Sequence, residues 1–191
     1  MTRRRLALLA LAALAACGPP SPMHMASLPR GFVDGAGDPL RAAVLQAGAA
    51  FSNQPALQGN PAAAARAIAE MEFLAVQLPG NPTVPGNTSL LQPQMFIARA
   101  EWRGALGIAP EVPPQAVIDP LFAAVRALEA GNRAAASAAL VPGVFAPGGE
   151  GTLARLAALP PLPRTAHAAA SAQQALLPPP VHPPRPGGRL R

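Results

Sequence analysis

The side chains able to do acid–base, nucleophilic or metal chemistry are few in this 191-residue chain. It has nine carboxylates, three histidines and one cysteine, and all fifteen of its cations are arginines. A serine–histidine–acid site needs a histidine on an ordered element. His24 falls in a Pro- and Gly-rich stretch and His182 in a Pro-rich tail, which leaves His167. With carboxylates of the surrounding chain, His167 is the residue on which an enzyme or small-ligand carrier would depend. Met23-His24-Met25 places two thioethers and an imidazole in a row, the soft set that suits Cu(I). Three adjacent ligands on a mobile chain are costly to order and no second cluster supports them, so no metal site or cofactor is expected.

The carboxylates do not form pairs. Glu70 and Glu72 lie two apart on a predicted helix, so they point about 200° from one another. Glu101 and Arg103 have the same separation, as do Arg99 and Glu101. All five read as a solvated surface. No nucleophile elbow, His-Glu-x-x-His, P-loop or dinucleotide fingerprint is present. Gly143 to Gly151 lacks the preceding strand and the lysine of a phosphate cradle, and reads as a loop. No catalytic residue is assigned. Met71, Phe73, Met95, Phe96 and Trp102 are candidates for an apolar groove, although such residues at helical spacing usually build core.

The elements that must position these residues are helices. Leu40, Val44, Ala47 and Phe51 share one face, with Asp38 as N-cap and Pro39 at the first helical position. Asn60-Pro61 opens a second helix, striped by Ile68, Met71, Ala75 and Leu78 and stopped by Pro79-Gly80. A third runs from about Ser89 to Gly107 with Leu91, Met95, Ala98, Trp102 and Leu106 on one side; Pro93 is tolerated in its first turn. A fourth, striped by Val117, Leu121, Val125 and Leu128, starts either at Pro113-Pro114 or at Asp119-Pro120. Gly131-Asn132 turns into a short helix ending near Leu140, and two more are expected near 150–158 and 163–177. β-Branched residues are sparse and no segment alternates with period two, so the fold class is all-α: six to seven alanine-rich helices in antiparallel hairpins. The expected organisation is a signal segment at 1–16, a flexible tether at 17–37, a helical domain at 38–177 and a disordered Pro/Arg tail at 178–191.

Two stretches of the chain match each other. Asp38-Pro39-Leu40-Arg41-Ala42-Ala43-Val44 agrees with Asp119-Pro120-Leu121-Phe122-Ala123-Ala124-Val125 at six of seven positions. Gly59-Asn60 and the alanines after it resemble Gly131-Asn132 and its alanines, but at unequal distances, 21 and 12 positions downstream. With 45 alanines, part of this agreement is compositional. Such small-residue helical hairpins weakly resemble tetratricopeptide units, without a constant period and without that family's bulky aromatic positions. The resemblance implies a groove for a peptide or partner helix.

The first residues carry an address. Arg3, Arg4 and Arg5 precede eleven apolar residues, Leu6 to Ala16, then Cys17 and a helix-breaking Gly18-Pro19-Pro20. Eleven residues at ~1.5 Å each cannot cross a ~30 Å hydrocarbon core, so the run reads as a signal-peptide core. Leu14-Ala15-Ala16-Cys17 resembles the lipobox of bacterial lipoproteins. The resemblance implies cleavage before Cys17 and its lipidation with fatty acyl chains such as palmitate. It also implies an envelope protein anchored to a membrane without spanning it. Gly18 after the cysteine favours the periplasmic face of the outer membrane over the inner membrane in that family.

Charge excludes less than it first suggests. The formal net charge is +6, with a pI near 11.6, which invites a nucleic-acid reading. Yet Arg3, Arg4 and Arg5 belong to the signal, and Arg185, Arg189 and Arg191 to the tail. Residues 18–184 hold nine arginines and nine carboxylates, so the body is neutral and no nucleic acid is expected. One cysteine excludes an internal disulfide, and no apolar run approaches the ~20 residues of a membrane span. The expectation is a non-enzymatic, lipid-anchored periplasmic helical module that binds a protein partner or serves as a structural part of the cell envelope. The His167 enzyme or ligand carrier is the alternative, and a polyanion-binding tether using the Arg-rich tail is a third possibility.

Overall fold

A computed structural model describes residues 26–29, 38–86 and 89–177. The expected signal segment, Cys17, Met23-His24-Met25 and the tail from Pro178 lie outside the described residues. The described chain is all-α. Its elements are α1 (Pro39–Ser52), a 3₁₀ turn (Gln54–Leu57), α2 (Pro61–Gln77), α3 (Leu91–Leu106), α4 (Pro114–Glu129), α5 (Arg133–Ala139), α6 (Gly148–Ala157) and α7 (Pro163–Ala175). Among the described residues the nearest approach to a sheet is one isolated bridge, Ile108 to Phe145.

The helix starts follow from side-chain caps. The Asp38 carboxylate accepts from the backbone N–H groups of Leu40 and Arg41, 3.0 and 3.2 Å away, satisfying two donors that a helix start leaves orphaned. Asn60 and Asn132 do the same for Ala63 and Ala135, at 3.0 and 2.9 Å. Each follows a glycine in the left-handed region, Gly59 at φ 74° and Gly131 at φ 72°, where a Cβ would be strained. The second half of the internal match is therefore a repeated local structure.

The first half is not. Asp38-Pro39 opens α1, whereas Asp119-Pro120 lies inside α4, which begins at Pro114. The Asp119 side chain is occupied by Gln115, one turn back at 2.6 Å, and does not cap a helix start.

α2 is the central element, packed against α1, α3, α4 and α6. Its sequence explains the placement. Ala64, Ala65, Ala67, Ile68 and Ala69 through Leu74 are all buried, a buried surface that runs round the helix, not along a single stripe, and is apolar except at Glu70 and Glu72. Alanines let the neighbouring backbones come close, and the few large side chains fill what remains. Trp102, Phe122, Phe145, Ile68 and Met71 are among the largest fully buried residues. α7 closes the arrangement by packing on α1 and α3.

One segment departs from expectation. Ala26–Pro29, inside the stretch read as a flexible tether, lies against the helical body. Gln77 at the end of α2 donates to the Ala26 carbonyl at 2.7 Å, while Gln115 of α4 accepts from the Ser27 N–H at 2.8 Å and donates to its carbonyl at 3.2 Å. Ala26 is buried. Two glutamine amides supply the backbone partners that a neighbouring strand would otherwise provide.

Candidate functional site

The two carboxylates on α2 have opposite environments, and neither is on a solvated surface. Glu72 is 0% exposed and faces α3. Its Oε1 accepts from Trp102 Nε1 at 2.9 Å and from Arg103 Nε at 2.6 Å. Its Oε2 accepts from Arg103 Nη2 and from Arg99 Nε, both at 3.0 Å. Arg103 Nη1 then donates to the carbonyls of Ala109 and Pro110, at 3.0 and 2.9 Å, tying the loop after α3 to the cluster. Arg99 Nη2 stands 3.0 Å from Glu72 Oε2 without hydrogen-bond alignment and has no other partner among the described residues.

A carboxylate has about four acceptor positions, and Glu72 uses all of them on fixed donors. It has no acceptor position left for a substrate. The cluster's work is therefore positional: it fixes α3 and the following loop against α2.

The expectation of solvated residues fails for Arg103, also buried, and for Glu101, which is half-buried. Glu101 accepts from the backbone N–H of Arg164 and Thr165, at 3.2 and 2.8 Å, and from Thr165 Oγ1 at 2.7 Å. It caps the start of α7 from a different helix. The sequence held one signal for the cluster. Arg99 and Arg103 are one turn apart on the edge of the stripe containing Trp102, and two guanidiniums beside buried apolar side chains require an acid across from them.

Glu70 projects the other way. Its residue is 4% exposed, and it lines an open depression of about 540 Å³ between α1, the 3₁₀ turn, α2 and α4. Gln46, Ala49 and Ala50 come from α1, Leu57 from the 3₁₀ turn, Asn60 from the cap of α2, and Ala62, Ala63, Arg66 and Ala67 from α2 itself. Glu129 on α4 completes the rim and is ion-paired with Arg66. No described residue hydrogen-bonds the Glu70 carboxyl. Burial pushes its pKa up to about 8, opposed only in part by the Arg66 charge. This is the one described carboxyl raised so far.

His167 is exposed on α7, and its ring meets only the Gln94 amide, 3.4 Å away. With Gln94, Ile97, Pro163 and Arg164 it lines a second open depression of about 490 Å³. No carboxylate among the described residues hydrogen-bonds it or lines that depression.

Of the groove or core candidates, Met71, Phe73, Met95 and Trp102 are buried in the core. Phe96 is neither core nor a lining residue of either depression; it is 74% exposed on α3. It lies one residue, about 100°, off the stripe of Met95, and that rotation carries it into solvent. Leu90 and Ile97 are exposed at the same end of the helix.

No group of three or more His, Cys, Asp or Glu able to hold a metal ion occurs among the described residues, and none of their helices is long and apolar enough to cross a membrane. No protein-family model, curated protein or solved structure matches the chain.

Proposed function

We propose that this protein is a lipid-anchored helical module of the bacterial cell envelope, held through Cys17 at the periplasmic face of the outer membrane, that binds a protein partner. The role is binding and not catalysis. The observation that carries it is the exposed apolar group of Leu90, Phe96 and Ile97 on α3, with Phe96 three-quarters in water. An aromatic ring left in water is the kind of anchor that protein interfaces bury, and Leu90 and Ile97 are exposed close to it in the chain. The arrangement Arg3-Arg4-Arg5, Leu6 to Ala16 and the lipobox-like Leu14-Ala15-Ala16-Cys17 supports the anchor.

The test places a photo-crosslinking residue at position 96 in the full chain at endogenous levels, with the same residue at Leu45, an exposed apolar position on α1, as control. The expected result is one adduct of defined mass from position 96 and none from position 45. Recovery of the protein alone from both positions overturns partner binding. In parallel, Cys17→Ser releases the protein from the membrane fraction and abolishes labelling by fatty acid; retention of both overturns the anchor.

A further inference from the structure

The Glu70 depression is separate from the apolar α3 face and has its own chemistry. A carboxyl that lines an open hollow and takes no hydrogen bond from any described residue presents its acceptor positions to whatever enters the hollow. The walls are Ala49, Ala50, Ala62, Ala63 and Leu57, short side chains that leave a slot for an aliphatic stem. The rim charges, Arg66 and Glu129, are paired with each other and cancel. The Arg66 charge reaches Glu70 but is shared with Glu129, so an ionised Glu70 leaves these three groups with a net negative charge beside an apolar slot. An anion has no place there, and a neutral apolar molecule would leave the carboxyl unsatisfied. The volume, about 540 Å³, lies in the range of small-molecule sites.

We propose that this depression binds a small organic cation, a primary ammonium on an aliphatic stem, with the Glu70 carboxylate as its counter-ion. Binding is linked to proton release. The carboxyl of the empty site keeps its proton at neutral pH, because burial pushes its pKa up to about 8. An entering ammonium stabilises the ionised form, and the displaced proton goes to solvent. The charged groups facing Glu70 are Arg66 from its own helix and Glu129 from α4. α1 and the 3₁₀ turn contribute Gln46 and Leu57 but no titratable group, and α3 and α6 contribute no lining residue.

Calorimetric titration of the full chain with n-butylammonium, and with n-butanol as the neutral match, tests this at pH 6, 7 and 9. The ammonium remains charged throughout. Its affinity is expected to rise about tenfold per pH unit up to about pH 8 and to level above it, with about one proton released per ligand at pH 6. Butanol is expected to bind at least tenfold more weakly at pH 9, with no pH dependence. Glu70→Gln, which keeps the shape of the neutral acid, abolishes ammonium binding. Ala63→Leu fills the slot and also abolishes it, while the Glu70 carboxyl, followed by NMR, still titrates well above the ordinary range. Equal affinity for butanol and butylammonium, unchanged binding by Glu70→Gln, or no binding by the parent chain at pH 9 overturns the proposal. Should Ala63→Leu fail to fold, the Glu70→Gln titration decides alone.

Discussion

Glu70 and Glu72 are two residues apart on one helix, share a residue type, and live under opposite electrostatic regimes. Glu72 turns toward α3, where Trp102, Arg103 and Arg99 saturate it. Glu70 turns toward α1 and α4, where nothing described bonds it and burial holds its proton on. Both are out of water, so burial alone does not separate them. What separates them is whether the packed neighbour supplies donors. A buried charge survives when donors meet it; otherwise the group neutralises itself. The paired carboxylate holds the molecule together, and the unpaired one is a site with unspent chemistry.

The largest way to break this contrast is to unpair Glu72. Glu72→Gln leaves Arg103 buried without its counter-charge and is expected to cost about 3–5 kcal/mol in urea unfolding at pH 7. A Glu72→Met, Arg103→Met double substitution should recover much of that, because a buried ion pair offers little net stability over apolar side chains of similar size. A loss below about 1 kcal/mol for Glu72→Gln would mean that the cluster is not holding α3 and its loop.

The second largest effect belongs to Glu70 and depends on pH. Its folded pKa, about 8, lies above the unfolded value near 4.5. The stability it confers is thus fully present below the unfolded pKa and is lost as pH rises through the folded one. Between pH 4.5 and 8 the unfolded chain releases a proton that the fold retains, so stability falls by about 2–4 kcal/mol and then levels. Glu70→Gln should match the parent near pH 4 and exceed it by a similar amount at pH 8.5. Coincident pH profiles for the two proteins would show that Glu70 is no different from a surface acid.

Glu101 is an intermediate case, half-buried and bonded to the start of α7. Glu101→Ala should cost about 1–2 kcal/mol, the size of a lost helix cap with its hydrogen bonds, and should raise amide exchange in the first turn of α7. The smallest effect is at Phe96. Phe96→Ser should shift stability by no more than about 0.5 kcal/mol, because the ring contacts solvent. It should nevertheless remove the adduct formed when the photo-crosslinking residue is placed at the neighbouring exposed position, Ile97.

Much of the fold was readable because it rests on local rules. The stripes Leu40-Val44-Ala47-Phe51 and Leu91-Met95-Ala98-Trp102-Leu106 fall on faces that are buried, and Asp38, Asn60 and Asn132 cap helices where their spacing places them. The site was much less legible. Residue type alone makes Glu70, Glu72, Glu101, Arg99 and Arg103 look like a surface, since charged side chains are rarely buried unless paired. The partners are 27 to 31 residues away in the chain for Glu72 and 63 to 64 for Glu101, beyond any helical period. Of the two starts the sequence left open for α4, Pro113-Pro114 and Asp119-Pro120, the first is the observed one. A cap-plus-proline pair is a start signal only where no helix already runs through it, and α4 has already started at Pro114.

The sequence by itself determined the helices, several of their caps and the neutral charge balance of residues 18–184. Each of those depends on neighbours within a turn or two, where spacing and sterics decide. The tertiary structure alone decided which carboxylate on α2 received donors and which faced an empty hollow. It also docked Ala26–Pro29 on Gln77 and Gln115, and left Phe96 in water. Those outcomes depend on which helix packs beside which face. Desolvation and hydrogen bonding act at contact distance in space, whatever the distance along the chain.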